Sequence, residues 1–241
     1  MRSKYNKNLS PRSSQFLMLS EDAPFAIQEA YKAIRTNIMF SIASDRCKRI
    51  VITSSVKGEG KSATAVNLAI AFAQNHSRVL LIDCDLRLPT DAAKLGTAST
   101  PGLSNLLVGM RSVNETIRSL PNGLNLLPAG DIPPNPTELL GSDRMKQLLD
   151  LLSNHYDYIL LDTPPVCTVS DATILAKETD GVVVVSRQGV ATQDSIQETL
   201  NQLQFANAKL LGFVYTGVKN EKSKHYRNYG YDYGDARKKR H

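Results

Sequence analysis

Three stretches of the chain carry the residue types that phosphate chemistry needs. The first, "SSVKGEGKSATAVNLAIAFA", has the form x-x-x-x-G-K-[ST] between an apolar run and a helical pattern. Gly58 and Gly60 free the backbone to turn its N–H groups inward as an anion nest. Lys61 adds a point charge that reaches the β- and γ-phosphates, and Ser62 adds a hydroxyl suited to Mg2+. The expected nucleotide-binding stretch is Ser55, Val56, Lys57, Gly58, Glu59, Gly60, Lys61, Ser62 and Ala63, with Ser55 where a leading glycine is usual. The helix that follows turns its positive end toward the phosphates.

The second and third stretches supply carboxylates. "VLLIDCDLRLPT" ends an expected strand, and alternation puts Asp83 and Asp85 on one face and Cys84 on the other. "YILLDTPP" ends another in Asp162. Acids at the C-terminal edge of a parallel sheet, beside a phosphate loop, suit metal-water binding or proton acceptance. Lys61, Asp83, Asp85 and Asp162 are the candidate catalytic groups, and Ser62, Asp83 and Asp162 the candidate Mg2+ ligands. Arg87 either joins these acids or a phosphate, or makes a structural ion pair. The proline-rich loop "AGDIPPNPTELL" either borders the nucleotide or is a stiff connector. His76 and His155 have no metal partner at ligand spacing.

A fourth stretch offers acceptors. "HYRNYGYDYGDARKKRH" closes the chain and holds four of its nine tyrosines, Tyr226, Tyr229, Tyr231 and Tyr233. No aliphatic residue flanks them, so the composition predicts a flexible tail. A phenol of pKa about 10 is protonated at neutral pH, so Asp83 or Asp85 is suited to take its proton during phosphoryl transfer. Eight to fifteen residues separate position 218 from these tyrosines, at most about 25–55 Å of extended chain. That reach covers the chain's own site or a neighbour's.

Positioning such groups requires a sheet. Six segments read as strands: 49–55, 78–85, 124–130, 156–165, 181–187 and 209–218. Most are continuous apolar runs, as expected of strands buried on both faces. Helical patterns fall at 22–43, where Ile27, Tyr31, Ile34, Ile38 and Ile42 recur, and at 61–75, 136–154, 170–179 and 191–206. The alternation predicts an α/β fold, a doubly wound, mainly parallel sheet of P-loop type. The expected layout is a basic segment and helical arm over 1–44, one P-loop domain over 45–218, and a tail over 219–241.

Composition narrows the classes. The 241 residues are 41% hydrophobic and 22% charged, ordinary for a soluble globular protein. No run approaches the roughly 18 apolar residues of a membrane span, and the N-terminus lacks the apolar core of a secretory signal. Cys47, Cys84 and Cys167 fit neither a disulfide framework nor a zinc site, which points to a reducing, cytoplasmic setting. The net charge of +6 belongs to the ends: residues 1–20 hold four basic groups and no acids, and residues 219–241 hold eight basic and three acidic. The body is mildly acidic, which argues against nucleic acid as a partner. The basic ends suit an anionic membrane surface or serve solubility alone.

"SSVKGEGKS", "LLIDCDLR" and "ILLDTPP" in that order, with the tyrosine cluster, resemble the bacterial tyrosine kinases of capsule and exopolysaccharide assembly. "EAYKAIRTNI" resembles that family's ExxRxxR oligomer-contact motif through Glu29, Lys32 and Arg35, with lysine at the first arginine. The resemblance implies ATP and Mg2+ as cofactors and an autokinase that phosphorylates its own tail. It implies a homo-oligomeric ring in which one subunit's tail enters the next subunit's site. It further implies activation by a transmembrane partner of the chain-length-determining type, reversal by a phosphatase, and other protein substrates. It places the chain at the inner face of the cell membrane. Asp83 and Asp85 match the family's Walker A′ pair and Asp162 its Walker B acid. A P-loop switch ATPase of the partition and septum-site kind is the alternative. Its signature lysine lies five before the loop lysine, where this chain has Val56. A non-catalytic module with a tyrosine tail leaves the three acids unexplained.

Overall fold

The computed structural model describes residues 18–20, 22–44 and 46–218. The basic N-terminal segment and the tail with Tyr226, Tyr229, Tyr231 and Tyr233 lie outside the described residues. In chain order the elements are α1 (Phe25–Ser41), β1 (Lys48–Ser54), α2 (Lys61–Ala73), β2 (Val79–Asp83), α3 (Asp91–Lys94), α4 (Leu103–Leu107), α5 (Val113–Thr116) and β3 (Arg118–Ser119). They continue as β4 (Leu124–Leu127), α6 (Pro136–Leu140), α7 (Asp143–Leu152), β5 (Tyr158–Asp162), α8 (Asp171–Ala176), β6 (Gly181–Arg187), α9 (Gln193–Phe205) and β7 (Leu210–Thr216).

The strands form one seven-stranded sheet in the order β3-β4-β2-β5-β1-β6-β7. Every neighbouring pair is parallel except β3 with β4. The continuous apolar runs have the expected cause: each of the central strands packs on both faces. Ile50, Ile52, Leu81, Leu160, Val183 and Val185 enter the layer beneath α1 and α2. Val51, Leu80, Ile82, Ile159, Leu161 and Val184 enter the layer beneath α7 and α8. Fully burying one such side chain contributes about 1.5–3 kcal/mol. Helix α2 is enclosed from Thr64 to Phe72, with α1 laid across it.

The six expected strands are present, several of them shorter than the apolar runs. β3 is an addition: its two residues, Arg118 and Ser119, carry no apolar signal and are held by antiparallel pairing to β4. The single helix expected over 136–154 is two. α6 stops at Gly141, and Ser142 accepts a hydrogen bond from the Met145 N–H at 3.3 Å to start α7. The expected alternation continues past the strand end, with Cys84 joining Leu80 and Ile82 in the layer opposite the Asp83 face. β2 ends at Asp83, and Asp85 sits in a turn where its N–H donates to Asp83 Oδ1 at 3.2 Å. That bond adds to the alternation that sets the two acids on one side of the sheet.

Candidate nucleotide and phosphoryl-transfer site

The phosphate loop joins β1 to α2. Gly58 and Gly60 adopt φ of +90° and +92°, in the left-handed region that glycine enters without a Cβ penalty. Gly60 is the residue before α2, so the first N–H groups of the helix, those of Lys61, Ser62 and Ala63, face the loop without helical partners. The loop is braced from within. Glu59 is fully buried, and its Oε2 accepts the Val56 N–H at 2.8 Å while Oε1 accepts the Arg187 N–H at 3.3 Å. Lys57 and Gly58 are exposed. The Ser55 carbonyl receives the Cys167 N–H at 3.2 Å, which ties the loop to the segment after β5.

Parallel pairing of β2 with β5 sets Asp83 beside Asp162. Lys61 Nζ reaches across to Asp85 Oδ2 at 2.9 Å, to Asp162 Oδ2 at 3.5 Å and to Ser62 Oγ at 3.2 Å. Lys61, Ser62, Asp83, Asp85 and Asp162 are thus brought to one point of the sheet's C-terminal edge. Burial works against the Lys61 charge, but Asp162 and Asp85 hold its ammonium protonated above the ordinary lysine range. Asp83 accepts the N–H groups of Thr90 and Asp91 at 3.1 Å each. Burial and the neighbouring Asp162 nevertheless raise its carboxyl to about 7. Burial also pushes Asp162 up, opposed by Lys61 and the Ser62 hydroxyl. Neither Asp162 oxygen accepts a hydrogen bond of normal geometry. Two orphaned buried oxygens, a lysine and a glycine nest fit a nucleotide phosphate chain with a divalent cation.

Arg87 takes the structural course. Its Nε contacts Asp171 Oδ2 at 3.2 Å and its Nη2 donates to Thr137 Oγ1 at 2.8 Å. Thr137 in turn donates to Asp171 at 2.6 Å. This triangle fixes the proline-rich loop over the C-terminal edge. On α1, Glu29 and Lys32 are exposed and pair with each other at 2.8 Å, while Arg35 Nη1 donates to the Ala71 carbonyl at 2.8 Å. His76 and His155 lie past the ends of α2 and α7, away from any metal-ligand group found among the described residues. Three contributors escaped the sequence reading. Asp91 is fully buried beside Asp83 and Asp162. Arg187 and Thr216 brace the phosphate loop from β6 and β7, with Thr216 Oγ1 donating to the Glu59 carbonyl at 2.8 Å. The Arg187 and Thr216 contacts span more than 120 residues and leave no local pattern.

A parallel sheet, a glycine nest at a helix start and acids on the two adjacent strands define a P-loop ATPase, a fold that implies ATP binding. Residues 47–211 match the AAA domain family. The chain is 38% identical to the tyrosine-protein kinase YwqD of Bacillus subtilis over 93% of its own length and 95% of that relative. It resembles the solved chimerical protein CapA2B2 with a TM-score of 0.77 at 38% identity, covering 81% of this chain and 86% of that one. The kinase domain of the Escherichia coli tyrosine kinase ETK superposes with a TM-score of 0.81 at 31% identity, over 90% of this chain and 85% of that domain. The chain belongs to the bacterial tyrosine-protein kinase family.

Proposed function

We propose that this chain is an ATP- and Mg2+-dependent protein-tyrosine autokinase that phosphorylates its own tail cluster and regulates capsule or exopolysaccharide synthesis and export. The observation that carries the reading is the end of β7. Thr216 bonds to the phosphate loop at Glu59, so the chain sets out toward Tyr226, Tyr229, Tyr231 and Tyr233 from the rim of the site. The kinase unit is residues 45–218, with 1–44 as the oligomerisation arm and 219–241 as the substrate tail.

ATP, when bound, supplies the phosphoryl group, and the cation neutralises charge on it. The chain's residues position these and move one proton. The nest from Ser55 to Ala63 holds the phosphates, and Lys61 aims its charge at the transferred group. Ser62, Asp83 and Asp162 would hold the cation. Asp85 lies nearest to solvent of the acids, 6% exposed, and among the described residues its only short charged partner is Lys61. It is therefore the carboxylate a tail phenol reaches, and it accepts the phenolic proton as the phenol oxygen bonds to the transferred phosphorus and the bond from that phosphorus to the ADP leaving group breaks.

Glu29 and Lys32, exposed and paired with each other, are placed to meet a second copy in a ring, whereas Arg35 holds α1 on α2. Among the described residues no helix is long and apolar enough to cross a membrane. Membership of the family supports activation by a transmembrane partner of the chain-length-determining type at the inner membrane face. A protein-tyrosine phosphatase would reset the tail. Incubation with ATP and Mg2+ followed by an anti-phosphotyrosine blot tests the reading. Signal on the chain itself is expected. ATP hydrolysis without any phosphotyrosine would assign it to the switch ATPases instead.

A further inference from the structure

Asp83, Asp91 and Asp162 are each 0% exposed, and each can bring one carboxylate oxygen within 4.8 Å of the other two. The turn after β2 builds this cluster. Asp83 Oδ2 accepts the N–H groups of both Thr90 and Asp91, folding the chain back so that the first residue of α3 lies against the strand ends.

Asp91 has no structural task that would account for its burial. Neither of its oxygens accepts a hydrogen bond. It does not cap α3, and Lys94, the cation of that helix, donates to Thr90 Oγ1. Lys61 contacts Asp85 and Asp162 but forms no ion pair with Asp91. An unpaired buried carboxylate costs several kcal/mol, and folded proteins relieve that cost by pairing, by protonation or by coordination.

We propose that Asp91 is a third carboxylate of the divalent-cation site, so that Asp83, Asp91 and Asp162 bind one hard cation before any nucleotide arrives. All-oxygen donors select Mg2+ or Mn2+ over softer metals. Asp91 would add a third negative charge against the cation, so the nucleotide would meet a site already carrying its metal. The inference rests on the assignment of Asp83 and Asp162 to a cation in the proposed function, and it adds a ligand and an order of binding to that assignment.

The test is Mn2+ titration of the full chain without nucleotide, followed by electron paramagnetic resonance of free Mn2+ and by thermal melting. The wild-type protein should bind one Mn2+ and melt higher with it. Asp91→Asn should weaken that binding by about 10–100-fold and lose the metal-induced rise. Its metal-free melting temperature should equal or exceed the wild type's, because a like charge has been removed. Mn2+ binding by Asp91→Asn as tight as wild type would overturn the proposal, and so would a wild type that binds no Mn2+ without nucleotide. If Asp91→Asn melts lower without metal, the carboxylate is structural and the proposal also fails. A wild type that phosphorylates its tail but binds no Mn2+ alone sinks only this inference. One that binds Mn2+ but never phosphorylates sinks only the kinase reading.

Discussion

Lys61 is the residue around which the site is organised, and its contacts show how charge is stored there. One ammonium meets Asp85 and Asp162 while Asp83 and Asp91 stand behind them. Lys61, Ser62, Asp83, Asp85 and Asp162 were legible because each falls at a fixed offset from a glycine or at the end of an apolar run. Asp91 was not, because what brings it in is a turn closed by the Thr90 and Asp91 N–H groups donating to Asp83 Oδ2, eight residues beyond Asp83. Gly60 shows the same local logic at the backbone. At φ +92°, an added Cβ would meet only Thr216 Oγ1 at 3.8 Å, an ordinary contact. The cost of Gly60→Ala is therefore backbone strain, about 1–3 kcal/mol. Urea unfolding should show a lower midpoint with an unchanged slope. An unchanged midpoint would mean that the loop relaxes out of the left-handed region.

The strands and long helices were readable because burial on two faces writes an apolar run and burial on one face writes a helical period. The short helices α3, α4 and α5 were not, since four or five residues carry no period and are held by contacts such as the buried Leu103 and Leu107. Strand beginnings are fixed by paired polar groups. Asp157, just before β5, accepts the Arg78 N–H at 2.8 Å and Arg78 Nη2 at 2.6 Å, just before β2. Those bonds from Arg78 hold the Asp157 carboxyl below the usual carboxylate range. A lowered folded value stabilises the fold above the unfolded pKa near 4, and that contribution is lost as pH falls through the folded value. Asp157→Asn should thus be less stable than wild type at pH 7, and the gap should close below about pH 4. A gap independent of pH would show that shape, and not charge, anchors the strand.

The whole chain pairs a mildly acidic body with a tail of eight basic and three acidic residues, a net +5. Each phosphotyrosine adds about −1.5 to −2, so four would bring the tail to about −1 to −3. A cationic tail is drawn to the acid-lined edge and to an anionic membrane, and a phosphorylated one is repelled by both. A ring held by docked tails should therefore loosen as phosphate accumulates. Light scattering at low salt should show the mass falling during the reaction, and replacing the four tail tyrosines with Phe should prevent the fall. A constant mass would make the tail a substrate and not a switch.

Intact mass spectrometry after incubation with ATP and Mg2+ tests the central claim most directly. The wild-type chain should gain up to four phosphates, mapped to Tyr226, Tyr229, Tyr231 and Tyr233. Lys61→Met should gain almost none while keeping its fold, because it removes the charge aimed at the transferring group, a loss of about 100-fold or more in rate. Tail phosphorylation of Lys61→Met at the wild-type rate, or wild-type phosphate confined to residues other than the tail tyrosines, would contradict the account.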